Sequence, residues 1–196
     1  MSRRLCVGMA IVKLVVILYT VAVVPAKRDV QTVTPEGRRI APLPDGMQVH
    51  DLITHTDERG TVCELYDPRW GVSPSALVFA YLFTIRPGMA KGWGIHAGHD
   101  DRYAFLSGEL DLAFYDARPD SPTAGREFRL VLSALHRKLL IIPRGVWHAE
   151  RNIGPVDAQV VNFPSAPYDH VNPDKHKLPL DTDELPVKLG PGWVGW

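Results

Sequence analysis

Between residues 61 and 163 the chain is a succession of short apolar runs, each closed by a turn signal before it reaches helical length. Leu110, Leu112 and Phe114 alternate with Asp111, Ala113 and Tyr115, the period of two that sends every other side chain to one face of a strand. Residues 61–66, 76–85, 103–106, 127–132, 138–142 and 156–163 extend the series. Arg59-Gly60, Arg86-Pro87-Gly88 and Ser107-Gly108 supply turns between them. No window after the first 26 residues carries helical periodicity, although residues 133–138 suit a single turn. Seventeen prolines and sixteen glycines, spread evenly, fit frequent reversals. The pattern predicts an all-β sandwich or barrel.

Length and charge narrow what such a chain does. At 196 residues it holds one domain with a substantial core. Lys+Arg and Asp+Glu balance at 22 each, so no basic footprint for nucleic acid exists, and a bound anion must be held by local cations. Cys6 and Cys63 form neither a disulfide framework nor a zinc-knuckle spacing, and Cys63 reads as a small buried residue. The expected organisation is a hydrophobic segment over 1–26, a linker or extended arm over 27–49, and one domain over 50–196 with a wrapping C-terminal tail.

Residues 5–24 are almost wholly apolar, broken by Lys13 and preceded by Arg3-Arg4. They read as a secretory signal or membrane anchor, or as translation from a mis-assigned start. The first reading places the protein on a membrane or outside it, the second in the cytoplasm.

Two histidines stand at strand boundaries. His96 follows Gly94-Ile95, and His148 ends Pro143-Arg144-Gly145-Val146-Trp147-His148. The latter, continued to Asn152, fits the second cupin motif, in which proline and glycine turn the chain so that the histidine enters the barrel. Counting back from Gly108, the first motif places Asp101 where metal cupins carry a glutamate and His96 at one histidine position, with Gly94 at the other. No cofactor is required by this pattern. The alternative is a divalent metal ion held by His96, Asp101 and His148, with His99 beside them.

Asp57-Glu58-Arg59-Gly60 with Glu64, Gly94-Ile95-His96, Ser121-Pro122-Thr123-Ala124-Gly125-Arg126 and the His148 segment occur in the order and spacing that resemble the dTDP-4-dehydrorhamnose 3,5-epimerase family. The resemblance covers about residues 50–170. It implies a cupin-type double-stranded β-helix (jelly-roll) barrel, a homodimer, and epimerase or isomerase activity on a nucleotide-linked 4-keto-6-deoxy sugar in deoxysugar or polysaccharide biosynthesis. His96 matches the family's base, Arg59 and Glu64 match its nucleotide-sugar contacts, and Arg102, His148 and Asn162 are expected to bind substrate with them. The chain departs from the family at the enolate-holding lysine, which falls on Asp101 beside Arg102. It departs again at the acid tyrosine, which falls on Asn162. Tyr168 is the expected stand-in acid, and Asp174, Asp181 and Asp183 are candidates for the aspartate that orients the base. Two other readings stand beside this one: a metal-dependent cupin enzyme and a sugar-nucleotide-binding cupin without catalysis.

Overall fold

The computed structural model describes residues 29–195, and strands joined by turns make up its regular structure. They are β1 (Gln48–Asp51), β2 (Thr54–Asp57), β3 (Gly60–Cys63), β4 (Tyr81–Ile85), β5 (Met89–His96), β6 (Asp101–Ser107), β7 (Glu109–Asp116), β8 (Glu127–Ser133), β9 (Lys138–Ile142), β10 (Val146–Asn152), β11 (Ala158–Asn162), β12 (Lys175–Leu178) and β13 (Val194–Gly195). Two single-turn 3-10 helices, Pro68–Trp70 and Ala134–His136, are the only helical pieces among the described residues. None is long and apolar enough to cross a membrane. The expected hydrophobic segment at 1–26, with Cys6, lies outside the described residues.

One sheet runs β1-β9-β6-β11-β4, and the other runs β12-β5-β10-β7-β8 with β13 beside β5. Their strands pair antiparallel except β13, which is parallel to β5. This is the jelly-roll arrangement. The β2–β3 hairpin forms a separate two-stranded ribbon. The contacts divide the chain into Met1–Ala41 and Pro42–Trp196. Within the first, Val33 bridges Arg39 around a turn at Gly37.

The alternating residues behave as the pattern requires. Leu110, Leu112 and Phe114 of β7 point inward and join Phe105, Leu140, Ile142 and Val160 in a core with no solvent exposure to speak of. On the opposite face of β7 Ala113 is also fully buried, because Leu185, Val187 and Leu189 of the tail lie over it with Trp93 and Ala149. The tail therefore wraps the outside of the six-stranded sheet. Residues 76–80, expected to be strand, join no ladder. The Ser75 and Ala76 carbonyls instead accept from the Arg102 guanidinium at 2.7 and 2.9 Å. Cys63, expected to be buried, is half-buried at the end of the hairpin.

The Ser121–Arg126 string proves to be a turn built around one carboxylate. Asp116 is fully buried and accepts from Arg118 Nε and Nη2 (both 2.8 Å) and from the Ser121 and Thr123 hydroxyls (both 2.6 Å). Burial works against its charge, but these donors outweigh it and hold the carboxyl well below the ordinary range. At the second turn Gly145 has φ +77°, and a Cβ there would sit 2.6 Å from Arg118 Cγ, so glycine is required for β10 to enter the barrel.

Candidate active site

Strand ends from both sheets meet at one end of the barrel. His96 closes β5, Asp101 opens β6, Asn162 closes β11, Tyr81 opens β4, and His148 lies on β10 opposite Gly94. His96, His99, Asp101, His148 and Asn162 are all buried polar residues, and Asp116, Glu150 and Asn152 are further buried polar groups on the six-stranded sheet. Such a concentration of buried polar groups is costly unless its members satisfy one another.

Asp101 is the hub. Its Oδ1 accepts from Asn162 Nδ2 at 2.6 Å and lies 3.7 Å from His99 Nε2. Its Oδ2 lies 3.4 Å from His96 Nε2 and 3.5 Å from His148 Nε2, with no hydrogen-bond partner of its own. Burial opposes its charge, yet His99, His148, His96 and Asn162 together hold it ionised. His148 is oriented by Nδ1, 3.2 Å from the Val146 carbonyl, and its Nε2 is 3.4 Å from the Tyr103 hydroxyl.

The two neighbouring histidines are driven apart. Burial pushes His96 down to about 4, a drop that Asp101 only partly counters, so its imidazole is neutral at physiological pH. Burial also opposes the charge on His99, but Asp101 and Asp174 outweigh it and raise that ring. The His99 Nδ1 is 2.9 Å from Asp174 Oδ2. Asp174 also accepts from the Ala97 and Gly98 amides and lies 3.7 Å from His96 Nδ1. Of the three late aspartates considered from sequence, Asp174 is the one placed beside His96 and His99. Its residue immediately precedes β12, in the tail.

On the facing sheet the Tyr81 hydroxyl accepts from Asn162 Nδ2 at 3.0 Å. Burial, then Asp101, push Tyr81 up to about 12, so it keeps its proton across the useful pH range. Lys175 of β12 pairs with His96 in register, and its Cε would lie 3.0 Å from a Cβ built on Gly94; His148 Nε2 lies 3.7 Å from the same point. The space left by glycine at position 94 is thus taken by a lysine stem. Glu150, opposite Lys91 on β10, is buried, which raises its carboxyl.

The other expected site residues are placed elsewhere. Arg102 is fully buried, and its five N–H groups go to the Phe163, Ser75, Ala76 and Pro164 carbonyls and the Tyr66 hydroxyl, leaving none for a ligand. It is a staple between loops. Arg59 pairs with Asp57 at the exposed tip of the β2–β3 hairpin, and Glu64 is exposed just beyond it. Tyr168 is 44% exposed, packs against the His170 ring, and lies close enough to Tyr81 to raise it slightly. Tyr81, Tyr103, Glu150 and Lys175 were not read as site residues from sequence. Tyr81 lies in a run dense with aromatics, and nothing local separates it from a packing residue.

A jelly-roll barrel closed around histidines, carboxylates and a protonated tyrosine defines a cupin-type protein whose centre is equipped for proton transfer. No protein-family model matches the chain. It is 29% identical over 136 residues to the probable low-salt glycan biosynthesis epimerase Agl13 of Haloferax volcanii, covering 69% of this chain and 87% of that one. It is 28% identical over 141 residues to the spore coat polysaccharide biosynthesis protein SpsL of Bacillus subtilis, covering 72% and 93%. Among solved structures, a dTDP sugar isomerase from Desulfovibrio desulfuricans superposes with a TM-score of 0.67 at 26% identity, over 74% of this chain and 90% of that one. The resemblance read from the motifs agrees with these likenesses, to a probable glycan biosynthesis epimerase by sequence and to a dTDP sugar isomerase by fold.

Proposed function

We propose that the chain is an epimerase or isomerase that enolises a nucleotide-linked 4-keto-6-deoxy sugar. The observation that carries this reading is a chain of contacts between the sheets: His96 Nε2 at the end of β5 lies 3.4 Å from Asp101 Oδ2, and Asn162 donates both to Asp101 Oδ1 and to Tyr81 Oη at the start of β4. Burial keeps His96 neutral and Tyr81 protonated. Inversion at a carbon beside a ketone needs a proton taken from one face and returned to the opposite face. The two sheets supply one group each.

His96 takes the proton. We take the tautomer with the proton on Nδ1, which lies 3.7 Å from Asp174 Oδ2 without a hydrogen-bond partner, and the lone pair on Nε2. Once protonated, Nε2 faces Asp101 Oδ2, an oxygen that had no hydrogen-bond partner before. That interaction strengthens as the imidazolium forms, which is where a base gains rate. Lys175, whose charge is felt at His96 and Glu150, provides a cation at the centre as the enolate develops. Tyr81, steadied by Asn162, returns the proton. The test is NMR in D₂O with dTDP-4-keto-6-deoxyglucose. Loss of the C3 or C5 proton signal, abolished by His96→Ala, is the expected result; intact signals with the wild-type chain defeat the reading.

A second reading rests on one observation. His96 Nε2, His148 Nε2 and Asp101 Oδ2 converge at 3.4–3.5 Å around an orphaned oxygen. An ion with bonds of about 2.0–2.1 Å in tetrahedral geometry spaces its donors by about 3.4 Å. These three residues would hold a divalent ion, which would polarise the ketone. Metal content of the purified protein, with activity before and after chelation, separates the two.

A further inference from the structure

His96 and His99 are both buried and lie side by side between two carboxylates, with ring centroids 4.0 Å apart. Each turns Nδ1 to the same oxygen of Asp174, His99 at 2.9 Å and His96 at 3.7 Å from Oδ2. Each turns Nε2 to Asp101, His96 at 3.4 Å from Oδ2 and His99 at 3.7 Å from Oδ1. The proton transfer proposed above uses one of these rings and gives His99 no task. Two buried atoms of the group, His96 Nδ1 and Asp101 Oδ2, have no hydrogen-bond partner. Such atoms are costly in a centre shielded from water.

One divalent ion would satisfy both. His96, His99 and Asp174 each offer a donor atom within 4.8 Å of the other two. Their distances to Asp174 bracket the donor spacing of about 3.4 Å that a tetrahedral ion with bonds of about 2.0–2.1 Å imposes. With the ion on the Nδ1 side, each imidazole carries its hydrogen on Nε2, facing one oxygen of Asp101. A carboxylate placed behind a metal-bound histidine in this way fixes the ring. Asp174 is itself held, because its oxygens accept from the Ala97 and Gly98 amides at 3.0–3.1 Å. Its side chain is 29% exposed, which gives an ion a way in from solvent. The charge balance suits a cation: Asp101 and Asp174 are set against one lysine whose charge is felt at His96, Lys175.

We infer that His96 Nδ1, His99 Nδ1 and Asp174 Oδ2 form a site for a divalent transition ion of the zinc type, and that the bound ion switches the base off. Two imidazoles and one carboxylate are donors that zinc accepts, with a fourth position left to water. A neutral imidazole with one nitrogen on an ion carries its hydrogen on the other. Nε2 then has no lone pair with which to take a proton from the sugar. This site differs from the triangle of His96, Asp101 and His148, which uses the opposite nitrogen of His96, and a neutral ring serves only one of them at a time. The ion also ties the tail, through Asp174, to the end of β5 and the loop that follows it. The site stands on geometry alone, whereas its effect on proton transfer rests on the function proposed above.

Calorimetric titration of the untagged full chain with Zn²⁺, after metal and then EDTA have been dialysed away, tests this. One ion per chain should bind and raise the melting temperature. His99→Ala and Asp174→Asn should each bind Zn²⁺ more than about a hundredfold more weakly, beyond the 10–100-fold typical of a partner behind a ligand. Asp174→Asn keeps an oxygen for the Ala97 and Gly98 amides, so it serves even where His99→Ala folds poorly. His148→Ala should bind Zn²⁺ much as wild type does. In the D₂O assay, Zn²⁺ should halt exchange by the wild-type chain with a midpoint at the calorimetric Kd, and EDTA should restore it. No binding, undiminished binding by His99→Ala and Asp174→Asn, or binding lost only in His148→Ala overturns the site. Binding through these residues with exchange undiminished overturns the switch. A chain that binds Zn²⁺ through these residues, yet exchanges no sugar protons when metal-free, supports the site and defeats the proposed activity.

Discussion

Asn162 donates one side-chain amide proton to Tyr81 Oη at 3.0 Å and the other to Asp101 Oδ1 at 2.6 Å. One amide thus ties the tyrosine on one sheet to the carboxylate that the histidines share. If Tyr81 is the proton donor, Tyr81→Phe should lower epimerisation by roughly 10²–10⁴. Exchange at the carbon His96 attacks should survive, because removal and return of that proton need only the base. Product stereochemistry and solvent exchange, followed together by NMR, check the split. Equal loss of both would remove Tyr81 from the donor role.

His96 sits at about 4 where an ordinary histidine titrates near 6.5. A base already neutral loses nothing as pH falls from 7 through 5.5. Exchange should therefore stay flat over that span and decline about tenfold per unit only below about 4. An unshifted histidine would begin its decline near 6.5, so a pH–rate profile between 4 and 8 decides. The same shift acts on folding. A histidine depressed in the folded state makes the chain less stable as pH falls through 6.5 toward 4, because the unfolded chain takes up the proton first.

Arg102→Met should unfold the chain more readily without a specific effect on substrate affinity. Removing the guanidinium leaves four carbonyls and the Tyr66 hydroxyl, buried or partly buried, without that donor, at roughly 3 kcal/mol. Urea denaturation measures the loss. A variant of wild-type stability with a raised KM would restore Arg102 as a substrate contact.

Asp116→Ala should cost roughly 3 kcal/mol at neutral pH, since it strips Arg118, Ser121 and Thr123 of a common acceptor. The carboxyl is depressed in the fold, so its contribution is complete above the ordinary value near 3.9 and is lost as pH falls below it. The gap between wild type and variant should narrow in acid. Thermal melts at about pH 7 and pH 3 give the comparison.

Chelation addresses the centre directly. Proton transfer by His96 and Tyr81 draws on protein groups alone, so exchange should be unchanged after dialysis against EDTA. A rate lost on dialysis and restored by Mn²⁺ or Zn²⁺ would transfer the chemistry to an ion on His96, Asp101 and His148.

Much of the barrel was legible because its information is local. Residues 138–142 were read as a strand and form β9 with those limits, and the alternation at 110–115 identified the buried face of β7. The Gly145 turn aimed His148 inward as the motif requires. What escaped depended on distant partners. Residues 76–80 have strand composition, but a guanidinium from β6 takes the nearby carbonyls, which no window around residue 76 reveals. Arg102 looked available for a ligand for the same reason: its partners are scattered from Tyr66 to Pro164. Tyr81 looks like its aromatic neighbours until Asn162 is placed beside it. Lys175 lies in a polar stretch that reads as surface, and only the strand pairing of β12 brings it over Gly94.

The position of Asp174 and Lys175 has a bearing on how the protein is made. Every strand from β1 to β11 lies before residue 163, whereas the carboxylate behind His96 and the lysine over Gly94 come afterwards. A chain leaving the ribosome has all the strands of its five-stranded sheet before either residue is added. The proposed proton transfer therefore waits until the segment that follows β11 has been made, and a product that stops short of β12 would carry His96 and His148 without Asp174 and Lys175 beside them.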